Sequence, residues 1–303
     1  MKKSAVILSA AALCGAAATF IWQGFLEAFG PNGSPLLVPF KSFGHKAGYY
    51  VKLREYTESM ARRKRERMEL VNRRGQRLVG YYYPCGDKPS GKLAFVVHGY
   101  RASHAEAAGV ICQMYLDRGF DVFGCDHIAC GESEGDYISF DYYETSDCLE
   151  WLDALKDKFG PELSVVLHGF SMGAATVMKM SDQVGECVKF IVEDSGFSTA
   201  VELIGSSTGP IFPVINLLNR LICGFDVRET DVRPHLKRSR LPMLFVHGGA
   251  DPLVPFYMGE ELYDMYKGEK DALFIPGGLH VEAAYYNRVE YMEKLDKFIE
   301  KYM

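Results

Sequence analysis

Ser164-Val165-Val166-Leu167-His168-Gly169-Phe170-Ser171-Met172-Gly173-Ala174-Ala175 is the stretch on which the fold is decided. A short apolar run typical of a buried strand passes through the pentapeptide Gly169-Phe170-Ser171-Met172-Gly173 and continues at once as a helical pattern. A serine displayed on so sharp a strand-to-helix turn needs small residues two positions before and after it, because the chain doubles back on itself there. Gly169 and Gly173 meet that need, and Ala174 and Ala175 let the following helix approach closely. The start of that helix brings free backbone N–H groups and the positive end of a helix dipole beside Ser171.

Outward from this turn the same grammar repeats. Leu93–Val97, Val122–Gly124, Ser164–Leu167, Phe190–Val192, Met243–Val246 and Ala272–Ile275 read as buried strands. Between and after them, His104–Arg118, Tyr142–Phe159, Met172–Gln183, Pro255–Lys267 and Glu282–Tyr302 read as helices. Strands alternating with helices predict an α/β protein, a mostly parallel central sheet with helices on both faces and the ligand site at the carboxyl ends of the strands. Ahead of this unit, Met68–Asn72 and Arg77–Tyr83 predict a β-hairpin around Arg73-Arg74-Gly75. Residues 196–228 break the rhythm with glycines, prolines and an apolar helix at Ile211–Ile222. Such an insertion reads as a short helical cap over the strand ends, or as a plain surface helix.

A serine hydroxyl attacks only when a base takes its proton, and the base needs an acid to orient it. Asp251 follows the strand Met243–Val246, and His280 follows Ala272–Ile275 in a glycine-rich loop, so the chain order is Ser, acid, His. Asp194, at the end of the strand Phe190–Val192, is the rival acid, with helix capping as its alternative role. The oxyanion of a tetrahedral intermediate needs two N–H donors. Met172 supplies one, and Tyr100, or alternatively Arg101, the other from the loop His98-Gly99-Tyr100. His98 is expected to hold that loop by hydrogen bonding rather than to titrate in catalysis.

These motifs, together with Asp126-His127-x-x-Cys130-Gly131-Glu132-Ser133-Glu134-Gly135 and His247-Gly248-x-x-Asp251-x-x-Val254-Pro255, resemble the α/β-hydrolase superfamily over roughly residues 68–302. His127 stands where the superfamily's loop has arginine. Within the superfamily the chain looks most like bacterial membrane-anchored or exported hydrolases of the serine-aminopeptidase-like and cinnamoyl-esterase-like group. The resemblance implies two-step acyl transfer on Ser171, His280 and Asp251, with a small-molecule ester or a short peptide as substrate and with neither metal nor cofactor. A peptidase would need a site for the substrate amine, for which Glu202 is the candidate. A catalytically silent binding protein is the alternative of a different class, and chemistry that uses a carboxylate nucleophile is disfavoured by Ser171.

The chain's composition agrees with a packed enzyme: 303 residues, 48% hydrophobic and 13% aromatic, with a net charge of −5 that offers nothing to nucleic acid. The uncharged run Ser4–Leu26, behind Lys2 and Lys3, is long enough to span a bilayer, for which roughly 20 residues suffice. It reads as an N-terminal membrane anchor, as a signal peptide cleaved after Ala16-Ala17-Ala18, or as a helix of the globular unit. An anchor would place the rest outside the cytoplasm, and cleavage would release a secreted protein. Hence the expected division: 1–27 anchor or signal, 28–67 connector, 68–303 catalytic domain, with residues 28–303 active by themselves. The connector carries Pro31, Pro35 and Pro39 and a basic helix near Tyr49–Arg67, which would touch anionic headgroups or simply be solvated. Seven cysteines beyond Cys14, an odd number without C-x-x-C spacing, are expected as free thiols, which suit a reducing compartment.

Overall fold

In the computed structural model the described residues are 2–33, 45, 46 and 48–303, with backbone alone for 2–14 and 16. Pro35, Pro39 and the side chain of Cys14 lie outside the described residues. The strands are β1 (Glu66–Val71), β2 (Arg77–Tyr83), β3 (Lys92–Val97), β4 (Asp121–Cys125), β5 (Ser164–Phe170), β6 (Val188–Asp194), β7 (Met243–Gly248) and β8 (Lys270–Ile275). The helices are α1 (Lys2–Phe29), α2 (Tyr49–Ala61), α3 (His104–Leu116), α4 (Tyr142–Phe159), α5 (Met172–Met180), α6 (Ala200–Thr208), α7 (Phe212–Ile222), α8 (Arg233–Arg238), α9 (Phe256–Met265), α10 (Ala283–Tyr286) and α11 (Arg288–Tyr302).

Among the described residues the strands form one sheet in the order β1-β2-β4-β3-β5-β6-β7-β8. The pairs β1–β2 and β2–β4 are antiparallel and every pair from β4 to β8 is parallel. Because helices cover both faces, β3 to β7 are apolar without alternation, and β5 is buried on both sides. One side packs Leu167, Ile191 and Phe245 with α4 and α5; the other packs Val166, Val192 and Val246 with α3 and α11. Parallel order brings the ends of β3, β5, β6, β7 and β8 to one edge, where the loops of Gly99, Ser171, Ser195, Asp251 and His280 converge.

Two helices depart most from their expected bounds. The basic helix stops at Ala61 rather than Arg67, because Glu66 already pairs with Tyr82 in the β1–β2 ladder. The last helix is broken at Asn287 (φ −120°, ψ 41°) into α10 and α11. The insertion over 196–228 does form helices, α6 and α7, joined by a 3₁₀ turn at Gly209–Ile211 where Gly209 takes φ +56°. Ala200–Ile222 is apolar enough to cross a membrane by composition, yet this break and the burial of Leu203, Ile204 and Ile215 make it a bent surface cap.

The N-terminal run shows the largest departure. The expected boundary at residue 27 falls inside α1, whose last turns belong to the core: Phe25 and Phe29 are 0% exposed and Ala28 is 9%. Phe29 packs edge-on against Phe140 and Phe225, with ring centroids 5.8 and 6.2 Å away. The carbonyls ending α1 are satisfied by side chains of the Gly99–Arg101 loop. Tyr100 Oη donates to Glu27 O and Ala28 O at 2.7 and 2.8 Å. Arg101 donates to Glu27 O at 2.6 Å, to Gly30 O at 2.8 Å and to the Glu27 carboxylate at 3.0 Å. A cation on orphan carbonyls at a helix C-terminus is favourable both as hydrogen bonding and against the dipole. A uniformly apolar run concealed this, because lipid and a protein core select the same side chains.

The loop after β4 is structural. Asp126 accepts from the backbone N–H groups of His104 (2.8 Å) and Glu132 (3.0 Å) and faces His104 Nδ1 at 2.8 Å. Burial raises the Asp126 pKa, but the His104 contacts outweigh it and hold the carboxyl below its usual value. A depressed acid stabilises the fold above its unfolded pKa and loses that contribution as pH falls through the folded one. Asp126→Asn should therefore cost stability at pH 7, and its urea midpoint should converge on wild type only as pH falls through about 2.

Candidate active site

The turn after β5 holds Ser171 at φ 54°, ψ −115°, a strained conformation for any residue with a side chain. Closeness on both flanks explains the glycines. A methyl on Gly169 would stand 2.2 Å from Gly173 O, and one on Gly173 would stand 2.2 Å from Val97 O and 2.6 Å from His98 O. These are backbone atoms of neighbouring elements and cannot step aside. Gly173→Ala is expected to destabilise the protein by at least about 3 kcal/mol in urea unfolding, at the upper end of overpacking costs.

Residues from three loops meet at Ser171. His280 Nε2 lies 2.9 Å from Ser171 Oγ, and His280 Nδ1 lies 2.6 Å from Asp251 Oδ2. The other Asp251 oxygen accepts from the N–H groups of Leu253 (2.8 Å) and Val254 (2.9 Å). Burial raises the Asp251 pKa, but the facing His280 and the Val254 N–H outweigh it and leave the carboxyl below its ordinary value. An ionised Asp251 can only accept, so His280 carries its proton on Nδ1 and presents Nε2 as the acceptor for the serine hydroxyl. All three expected residues are thus brought together, although Ser171 and His280 are 109 positions apart in the chain.

Asp194, the rival acid, points elsewhere. It accepts from Ser195 Oγ at 2.9 Å, and Ser195 Oγ in turn accepts from Val281 N at 3.2 Å, bracing the loop just past His280. Complete burial pushes the Asp194 carboxyl up to about 7. It does not cap the following helix, whose N-cap is Thr199.

Met172 opens α5, so its N–H has no acceptor within the helix. The loop carrying Tyr100 lies against the serine: a methyl on Gly99 would be 3.2 Å from Ser171 Cβ. Arg101, at φ 52°, turns that loop, and its guanidinium faces α1. His98 is fully buried, and burial with the nearby His127 lowers its pKa well below the ordinary histidine value. Its Nε2 accepts from His127 N at 2.9 Å, so Nδ1 carries the proton and donates to Gly99 O at 2.7 Å. This is the holding role expected for it.

Ser171 and His280 open into a cavity of about 150 Å³ walled by Tyr49, Leu53, Tyr100, Val110, Phe170, Leu203, Val254 and Tyr285, with His45 and Tyr50 at one side. The segment expected to be a mere connector therefore forms part of the site. It is fastened beside His280: Lys46 N donates to Glu282 Oε1 at 2.6 Å, His45 stacks on Tyr49 at 3.8 Å and Tyr49 meets Tyr285 at 5.0 Å. In the sequence the adjacent Tyr49-Tyr50 hints at this role, while the basic cluster behind it suits headgroups or solvent. Glu202 lies in a neighbouring groove, hydrogen-bonded to Tyr257, and does not line the Ser171 cavity.

The seven described cysteines form no disulfide with one another. Cys125, His127 and Cys148 bring potential ligand atoms within 4.8 Å of one another, a cluster the linear spacing did not reveal. Burial and a hydrogen bond with Cys125 push the Cys148 thiol well above its ordinary value.

Comparisons with known proteins agree with this architecture. A family model described as serine aminopeptidase, S33, matches residues 88–212, a segment that includes Ser171. The uncharacterized protein YqkD of Bacillus subtilis (strain 168) is 24% identical over 235 residues, covering 75% of this chain and 76% of its own. The alpha/beta hydrolase domain-containing protein 17C of Mus musculus is 26% identical over 214 residues, covering 65% of this chain and 58% of its own. Among solved structures, the Pyrococcus furiosus esterase Pf2001 superposes with a TM-score of 0.66 at 21% identity, over 80% of this chain and 95% of that one. Est1E from Butyrivibrio proteoclasticus, solved with ferulic acid bound, gives 0.59 at 18% identity, over 78% and 98%. Together the family model and these neighbours support a hydrolase.

Proposed function

Because this chain has the α/β-hydrolase fold, we propose that it is a serine hydrolase of carboxylic esters, with Ser171 as nucleophile, His280 as general base and acid, and Asp251 as the orienting carboxylate. The observation that carries this reading is the continuous hydrogen-bonded row from Asp251 through His280 to Ser171 Oγ, ending in a cavity lined by apolar and aromatic side chains. His280 Nε2 removes the Ser171 proton as Oγ attacks the ester carbonyl, and Asp251 stabilises the imidazolium that forms. The N–H groups of Met172 and Tyr100 receive the oxyanion. His280 then protonates the leaving alcohol, and the same base activates a water that releases the acid and restores Ser171.

A cavity of about 150 Å³ suits a small acyl or an aryl acyl group. The family model also raises peptidase chemistry, but among the described residues the Ser171 cavity presents no carboxylate placed for a substrate amine other than Glu106, whose Oε2 already accepts from Ser103 N at 2.9 Å as a helix cap. Esters are therefore preferred. A fluorophosphonate probe should label Ser171 stoichiometrically on the intact protein, as read by peptide mass spectrometry. A panel of p-nitrophenyl esters and aminoacyl amides should show turnover of esters first. Labelling elsewhere, or amide turnover exceeding ester turnover, rejects the assignment.

A further inference from the structure

The outer face of α7 has no partner among the described residues. Val214, Leu217, Leu221 and Ile222 are 42%, 51%, 74% and 40% exposed and fall on one stripe of the helix. The rotation of α7 is fixed from inside: Asn219 donates to Phe225 O at 2.7 Å and Asn216 accepts from Val227 N at 2.9 Å, both beneath the cap. Turning the stripe inward would strand these buried polar groups, so the apolar residues are held outward.

Beside the stripe runs α1. The two helices touch at Gly24, where a methyl would stand 3.0 Å from Ile215 Cδ1, and Phe20 and Trp22 of α1 are 55% and 40% exposed. Exposed apolar side chains thus flank the contact of the two helices, Phe20 on the face of α1 that meets the cap and Trp22 on the other side beside Phe25, and from there α1 continues back to Lys2 through an uncharged sequence. Its last turns are claimed by the core, which leaves Ser4 to Phe20 as about 25 Å of helix, close to the roughly 30 Å of a bilayer's hydrocarbon. If those residues occupy the hydrocarbon, Phe20 and Trp22 fall at the headgroup level where aromatics concentrate, and α7 meets α1 at Gly24, one turn beyond Phe20. Arg220, whose side chain is 60% exposed and whose Nε lies 4.0 Å from Asp226 Oδ2, borders the stripe and leaves its outer N–H groups for anionic headgroups.

A second apolar cavity, about 80 Å³, lies between α1 and the cap, walled by Phe20, Gly24, Ala28, Ile204 and Ile211. Tyr100 forms part of its wall and also part of the wall of the Ser171 cavity.

We propose that the α1–α7 surface seats the cap in the interfacial layer of a lipid bilayer, so that the site draws amphiphilic acyl esters out of the membrane. The choice of substrate rests on the ester-hydrolase reading; the seating of the cap does not. The test uses the full chain reconstituted in phosphatidylcholine–phosphatidylglycerol vesicles. In a Trp22→Phe background, where the remaining Trp151 is buried, tryptophan is placed by Leu217→Trp, by Leu221→Trp and, as a control, by Glu162→Trp. Brominated lipid should quench the probes at 217 and 221 and spare the one at 162; equal quenching at all three, or none at 217 and 221, overturns the seating. In parallel, Leu217→Glu with Leu221→Glu should lower turnover of a vesicle-resident ester of a short acyl group with a long-chain alcohol about tenfold or more, the scale of losing two interfacial leucines, while a short soluble ester is turned over as by wild type. An equal effect on both esters overturns delivery from the bilayer. Failure of the parent protein on every ester would reject the catalytic reading, and the quenching would still decide the surface.

Discussion

Ser171→Ala is expected to lower kcat by about 10⁴- to 10⁶-fold on p-nitrophenyl esters while leaving the urea midpoint near that of wild type. The fold should survive because the polar contacts of the turn come from the backbone: Ser171 N donates to Asp194 O at 2.8 Å, and Ser171 O accepts from Ala175 N at 3.1 Å. Only Oγ, with its 2.9 Å contact to His280, is lost. The orienting acid is tested by the same assay. Asp251→Asn keeps the shape but cannot hold the Nδ1–H tautomer, and should cost about 10³- to 10⁴-fold in kcat. Asp194→Asn should leave kcat almost unaltered, because its oxygen accepts from Ser195 and not from His280. Stability separates the two carboxylates further. Burial raises Asp194 to about 7, so its favourable contribution is complete below the unfolded value near 4 and is lost as pH rises through 7. The asparagine variant should accordingly gain stability relative to wild type above pH 7. A larger kcat loss at 194 than at 251 would reverse the acid assignment.

Deleting residues 1–29 is expected to damage stability and catalysis together, which a detachable tether would not do. Phe25 and Phe29 are fully buried, and returning that surface to water costs roughly 4–6 kcal/mol, a large part of the 5–15 kcal/mol that holds a typical domain together. The deletion also removes both acceptors of Tyr100 and the Glu27 acceptors of Arg101 beside the proposed oxyanion donor. The residue 30–303 chain should unfold at lower urea concentration, and its kcat should fall at least about tenfold, half or less of the barrier effect of losing one oxyanion donor. A chain cut after residue 27 should suffer most of this loss, because Phe25 and the Glu27 carboxylate go with it. Phe29→Ala isolates the packing part: about 3–5 kcal/mol in unfolding with the Arg101 contacts to Gly30 retained. Full stability and activity of the 30–303 chain would reduce α1 to a leash.

Local chemistry accounts for what was legible without the fold. A nucleophile turn needs glycine at both flanks because backbone atoms of other segments come within 2.2 Å, and that need is written in five consecutive residues. Strand and helix periods, and the loops after strands, follow from near-neighbour patterns; Ser171, Asp251 and His280 could therefore be nominated one by one, each from its own strand. Their union at 2.6 and 2.9 Å depends on parallel register between strands more than a hundred residues apart, a non-local property.

Where two environments select the same side chains, the sequence was silent and only the tertiary structure decided. The run Ser4–Leu26 suits a bilayer and a core equally well by composition, and it is packing against Phe140 and Phe225 that claims the end of α1 for the fold. Tyr49 and Leu53 belong to a helix whose basic neighbours suggested solvent, yet contacts with Tyr285 and Glu282 turn that helix into a wall of the site. Asp251 and Asp194 are both carboxylates at strand ends; direction alone separates them, because one aims at His280 and the other at Ser195. The residues of this chain determine which chemistry is available, and the distances that bring one serine, one histidine and one aspartate together arise only when the parallel strands assemble side by side.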